Sequence, residues 1–105
     1  MPWGISDSLL AAIVSVFEQE KRVSELILFG SRARHTNRPG SDFDFAIKGD
    51  NLNLEVLLNL NLSLENLNTP YKFDVVIFER ITDPNLLREV EAHGVVLMKK
   101  EKFGN

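Results

Sequence analysis

Three carboxylates and one short turn hold the residue types and spacings that could do chemistry in this chain of 105 residues. The stretch Phe29-Gly30-Ser31-Arg32-Ala33-Arg34 sets a Gly-Ser turn directly behind an apolar run, and Asp42 and Asp44 follow at i and i+2 in the next one. A third acid, Asp74, sits inside Phe73-Asp74-Val75-Val76-Ile77-Phe78. Glycine lets a phosphate approach the backbone, and a Ser31 hydroxyl with N–H groups at a helix start can donate to it. Arg32, Arg34 and Arg38 could neutralise phosphate charge, because a guanidinium meets phosphate oxygens in a bidentate fork. Carboxylates brought close together repel one another and do not all ionise cheaply without a cation. Hard oxygen ligands of that kind suit magnesium or manganese. The chemistry this predicts is metal-dependent transfer from a nucleoside triphosphate, with two ions about 4 Å apart as the usual arrangement.

For these residues to meet, strands must carry them. Asp42 to Lys48 alternates as a strand should: Phe43, Phe45 and Ile47 point one way, and Asp42, Asp44 and Ala46 the other. Strand rise puts Asp42 and Asp44 roughly 7 Å apart on one face. Tyr71 to Phe78 alternates likewise, with Lys72, Asp74 and Val76 on one face and Phe73, Val75 and Ile77 on the other. If these strands are neighbours with the same facing, three carboxylates surround one point. Leu26 to Phe29 reads as a buried strand ended by Gly30 and Ser31, and Ser31 to Arg34 as one helical turn. The segment from His35 to Ser41, with Asn37, Pro39 and Gly40, reads as a loop.

Helices fill the remainder. Asp7 to Arg22 carries Leu10, Ile13, Val14 and Phe17 at helical spacing, with Ser6 or Asp7 as cap. Asn51 to Asn68 fits two templates: Leu57, Leu60, Leu64 and Leu67 suit a helix, and Leu58, Leu60, Leu62 and Leu64 a strand. Leucine lacks the β-branching of strand formers and the segment is long, which favours the helix. Asp83 and Pro84 open a last helix with Leu86, Leu87 and Val90 as its stripe, which Gly94 stops. Val95 to Met98 makes a final strand, and Lys99 to Asn105 reads as a frayed, charged tail. The order predicts an α/β (α+β) fold over 1–105 as a single domain: a mixed sheet of about four strands with helices on one face.

The totals narrow the function classes. A net charge of −3 with no basic block argues against direct nucleic-acid binding. There is no cysteine, which excludes disulfide frameworks and thiolate metal sites. No segment reads as a signal peptide or a membrane span, so a cytoplasmic protein is the simplest expectation. A chain of this size buries a limited share of its surface, which makes an oligomer or a partner plausible.

Gly30-Ser31-Arg32-Ala33-Arg34, then Ser41-Asp42-Phe43-Asp44, then Asp74 resemble the signature of the DNA polymerase β-type nucleotidyltransferase superfamily. The length and the short form of the motif look like its minimal nucleotidyltransferase branch. The resemblance implies that Asp42 and Asp44 ligate Mg2+, that Asp74 completes the triad and serves the acceptor hydroxyl, and that Gly30 and Ser31 hold the triphosphate of ATP; Arg34, beside them, is the candidate phosphate contact among the arginines. It implies a HEPN-type protein partner: in such pairs the minimal enzyme is the antitoxin, moving AMP from ATP to a tyrosine of the toxin. Two other readings stay open. One is an antitoxin that neutralises its partner by occlusion without catalysis, and the other a small-molecule (aminoglycoside-like) transferase needing a partner subunit. One residue departs from the family pattern: many members carry glycine after the second arginine, where this chain has His35. A histidine there is in conflict if the position needs a positive φ.

Other residues have plainer expectations. Arg32 and Arg38 read as exposed solubilising charge, Ser41 as a loop closure, and His93 as a cation at a helix C-terminus. Trp3 and Tyr71 read as packing or partner surface, although either ring could stack a base. Leu57, Leu60 and Leu64 read as core.

Overall fold

The structure is a computed structural model that describes residues 2–101. Its elements run α1 (Asp7–Glu18), β1 (Val23–Phe29), α2 (Gly30–Ala33), β2 (Phe43–Gly49), α3 (Leu54–Glu65), β3 (Phe73–Ile77), α4 (Pro84–His93) and β4 (Val95–Lys99), with single 3-10 turns at Pro2–Gly4 and Phe78–Arg80. The four strands form one sheet in the order β3-β2-β1-β4. β1 pairs antiparallel with both β2 and β4, whereas β2 and β3 run parallel. The parallel pair needs a crossover, and α3 supplies it. This is the mixed four-stranded α/β sheet expected from the sequence.

Alternation along the strands divides the core in two. Leu26 and Leu28 of β1, Phe43, Phe45 and Ile47 of β2, and Val75 and Ile77 of β3 belong to the larger cluster, with Ile13 and Phe17 of α1 and Val56, Leu60 and Leu64 of α3. The phenylalanines stack in a layer: the Phe43 ring lies 6.1 Å from Phe45 and 5.6 Å from Phe73, and Phe17 meets Phe45 edge-on at 5.3 Å. Ile27, Phe29 and Ala46 point to the other face, where Val90 and Leu86 of α4 cover them. Helices on one face therefore describes α1 and α3, while α4 crosses to the opposite side. The reason lies in β1, which is apolar at every position from Leu26 to Phe29 and needs cover on both faces.

Local chemistry sets the element ends. Ser6 Oγ accepts from the Leu9 amide at 3.2 Å to cap α1. The helix stops at Glu18, four residues short of the expected Arg22, because its buried stripe ends at Phe17 and β1 already starts at Val23. Asn53 caps α3 by accepting from Val56 N at 3.0 Å. The two templates for this segment resolve as helix: Leu60 and Leu64 are buried, but Leu58 and Leu62, which a strand would have put on the same face, stand exposed. Asp83 caps α4, with Pro84 in its first turn. Gly94 ends α4 at φ −65°, so it is no left-handed cap; a Cβ there would strike Val90 O and Ile27 Cγ2. β4 extends one residue further than expected, and Lys100 is tied down through its amide to Ser24 O and its Nζ to Glu20 O. Of the tail expected to fray, 102–105 lie outside the described residues.

Candidate active site

β1 delivers the chain to Gly30, and the sheet delivers the acids beside it. Phe29 pairs with Asp44 across the antiparallel ladder, and Asp44 pairs with Asp74 across the parallel one. Register partners in a sheet share a face on strands about 4.8 Å apart, so Asp44 and Asp74 stand side by side. Asp42 precedes β2 and is exposed, as is Asp74, whereas Asp44 is partly buried. Burial first, then the charges of Asp74 and Asp42, push the Asp44 carboxyl up from 3.8 to about 6. Asp44 therefore stands within electrostatic reach of both other acids. Among the described residues, no group of three acidic or histidine side chains is arranged to hold a metal ion by itself. The fold sets two carboxylates in register with a third nearby and does not compose them into a ready-made cage. Magnesium is commonly held by one or two carboxylates together with substrate phosphates, and this donor set fits that mode.

Gly30 is required twice at this point. Its φ is +78°, a conformation that side chains rarely adopt, and a Cβ on it would run into Asp44 Oδ2. The turn and the central acid are thus in contact through the glycine's missing side chain. Ser31 follows in the one-turn helix α2, its carbonyl accepting from Thr36 N at 2.8 Å. Ser41 closes the loop as expected: its hydroxyl accepts from Arg38 N at 2.9 Å, and its amide donates back to Arg38 O.

The arginines divide in an unexpected way. Arg38 is exposed, as expected, but Arg32 is only 1% exposed and is the one buried charged residue among those described. Its Nε and Nη2 donate to Ser41 O at 3.1 and 2.8 Å, and its Nη1 donates to Trp3 O at 2.7 Å. The guanidinium lies 4.0 Å over the Phe43 ring and 4.9 Å from that of Tyr71. Burial lowers its pKa, and the neighbouring Tyr71 and Asp42 push it back up. The expectation of a solubilising charge fails here because α2 is a single turn, too short for periodicity to show which of its side chains points inward. Trp3 and Tyr71 are accordingly partners of Arg32. Arg34 is half-exposed and pairs with Glu89 Oε1 of α4 at 3.2 Å. Glu89 was not among the residues singled out from the sequence, and its Oε2 is buried without a partner. Glu89 is one of two acids in α4, with Glu91, and carries no distinguishing signal in the sequence.

His35 adopts φ +59°. The position does require the left-handed conformation, and the chain meets it with a histidine, one of the few side chains enriched there. Its side chain is exposed.

Solved structures place this geometry among known folds. A toxin–antitoxin complex with AMP-PNP contains a chain that superposes with a TM-score of 0.72 at 20% identity, over 88% of this chain and 74% of that one. The complex of the tri-AMPylated Shewanella oneidensis HEPN toxin with its MNT antitoxin gives 0.65 at 18% identity, covering 87% and 70%. A Sulfolobus solfataricus putative nucleotidyltransferase gives 0.53 at 21%, covering 90% and 81%. At such identities the likeness establishes the fold. No curated protein matches the sequence. The family model for polymerase beta nucleotidyltransferases matches residues 11–103, nearly the whole length, and this chain, with its acids in register beside the Gly30 turn, belongs to that family of nucleotidyltransferases.

Proposed function

We propose that this chain transfers AMP from ATP to a hydroxyl of a protein partner, a tyrosine of a HEPN-type toxin, with pyrophosphate as the leaving group, and so acts as its antitoxin. The observation that carries the reading is the Asp44–Asp74 register pair set against Gly30. It is supported by the family membership and by two neighbours of the same fold, one complexed with AMP-PNP and one partnered with an AMPylated toxin.

In this reading 1–105 forms one catalytic domain that acts in the cytoplasm, where ATP is plentiful. Asp42 and Asp44 would ligate Mg2+, with Asp74 as the third acid, and the metal when bound would neutralise triphosphate charge and polarise the bond that breaks. Gly30 and Ser31 hold the triphosphate: the missing Cβ lets the Asp44 carboxylate lie directly against the turn, so a metal held by that carboxylate would sit beside the phosphates. Arg34 stands at the edge of the same turn and leaves Glu89 for a phosphate. Asp74 lies on the edge strand β3, where an acceptor hydroxyl can approach without crossing the sheet, and it orients that hydroxyl and takes its proton.

The test is incubation with α-labelled ATP, Mg2+ and the toxin partner, followed by intact mass spectrometry. One or more AMP masses should appear on the partner and vanish with Asp44→Asn. Transfer that survives in both Asp42→Asn and Asp44→Asn would refute the assignment.

A further inference from the structure

Helix α4 brings Glu89 to the far end of the turn that begins at Gly30. α4 packs beside α2, and Val90, the neighbour of Glu89, is buried in one cluster with Phe29. Arg34 closes α2, its amide donating to Gly30 O at 3.2 Å. One helical turn advances about 5.4 Å, so a guanidinium rooted at Arg34 has the Gly30-Ser31 turn within reach. In the structure that guanidinium is engaged elsewhere. Its Nη1 donates to Glu89 Oε1 at 3.2 Å, and this is the single contact between the two side chains. A guanidinium and a carboxylate built to stay together commonly share two parallel N–H···O bonds of about 2.8 Å. Here Glu89 Oε2 is buried and, among the described residues, accepts from no donor. The partners also differ in freedom. The Arg34 side chain is 49% exposed and can swing, whereas the Glu89 side chain is 24% exposed and rooted in the middle of a helix.

We infer that Glu89 is a positioning residue that parks Arg34 while ATP is absent and competes with the triphosphate for it. The inference rests on the proposed reading of Arg34 as a phosphate contact. A phosphate offers two oxygens at the spacing of the guanidinium fork, where Glu89 engages one N–H. The exchange leaves both Glu89 oxygens unpaired, one of them buried, and an ionised group in that condition is disfavoured. ATP binding therefore works against Glu89, and removing its charge should release Arg34 and tighten binding. A half-exposed ion pair is weak, so the release is worth a factor of about two to five in an equilibrium constant. A fixed brace that aims Arg34 at phosphate would engage the second carboxylate oxygen and would predict the opposite sign. Glu89 acts here through Arg34 and does not itself touch ATP.

The test is calorimetric titration of the full chain with ATP and Mg2+ without the toxin partner, so that no acceptor consumes the nucleotide. Glu89→Gln should lower the Kd for ATP about two- to fivefold, and Glu89→Ala should act in the same direction, which separates lost charge from any contact of the new amide. In the transfer assay the KM for ATP should fall by the same factor with little change in kcat. In an Arg34→Ala chain, Glu89→Gln should change nothing further, an independence that a merely structural role would not produce. Unchanged or weaker ATP binding in Glu89→Gln overturns the inference. So does equal tightening in the Arg34→Ala chain, which would make Glu89 a direct repeller of the triphosphate. The proposed reaction fails separately: a wild type that binds ATP and transfers nothing refutes the reaction, while tightening in Glu89→Gln still supports the parking. A wild type that binds no ATP overturns both.

Discussion

Replacing Asp44 by asparagine should end transfer and at the same time make the protein more stable. The Asp44 carboxyl sits at about 6 against 3.8 in the absence of its surroundings, because it is partly buried beside Asp74 and Asp42. Fully expressed, that gap is worth about 3 kcal/mol against the ionised form. The side chain retains solvent contact, and screening reduces the figure to about 1–2 kcal/mol. The folded state binds the proton more tightly than the unfolded chain, so the favourable contribution is complete below pH 3.8 and is lost as pH rises through about 6. Asparagine has a similar shape and no charge, and so escapes the loss. At pH 7.5 Asp44→Asn should melt about 5–10 °C above the wild type, a shift scaled from a domain of this size. The advantage should shrink through the window from pH 6 to 4 and be nearly absent at its lower end. Urea unfolding of both proteins across that range measures the difference directly, and titrating acids remote from Asp44 cancel between them. Adding Mg2+ should raise the wild type alone and narrow the gap at pH 7.5. A variant no more stable than wild type at pH 7.5, or a gap independent of pH, would refute the reasoning.

Other outcomes follow from single contacts. Arg32→Met should cost about 3 kcal/mol or more in urea unfolding, because it strips the donors from Ser41 O and Trp3 O, and Arg32→Lys should recover only part of it. Gly30→Ala should destabilise the fold by about 1–3 kcal/mol and stop transfer together, since both its φ and the contact with Asp44 forbid a Cβ; an active, stable variant would argue against the turn's role. His35→Gly should raise stability by about 0.5–1 kcal/mol by relieving the left-handed backbone, as read in a thermal melt. Arg34→Ala should change stability by less than about 0.5 kcal/mol, because its ion pair is half-exposed, yet raise KM for ATP; unchanged KM would leave Arg34 as a partner of Glu89 alone.

The sequence by itself determined the elements and the facing of the acids. Period-two alternation in β2 and β3 set Phe43, Phe45, Val75 and Ile77 inward and Asp44 and Asp74 to the other side, because a strand has only two faces and the core takes the apolar one. The helical periodicity of α1, and the Asp83-Pro84 start of α4, were equally local. Tertiary structure decided what depends on neighbours. The parallel register of β2 with β3 made Asp44 and Asp74 adjacent, and no residue in either strand encodes that pairing alone. α4 crossed the sheet because β1 needed cover on both faces. Arg32 went inside because the Trp3 carbonyl, far back in the chain, and the Ser41 carbonyl and Phe43 ring beyond the intervening loop supply what a buried guanidinium requires. His35 took a left-handed backbone because the turn that positions Gly30 against Asp44 fixes the path of the chain beyond it.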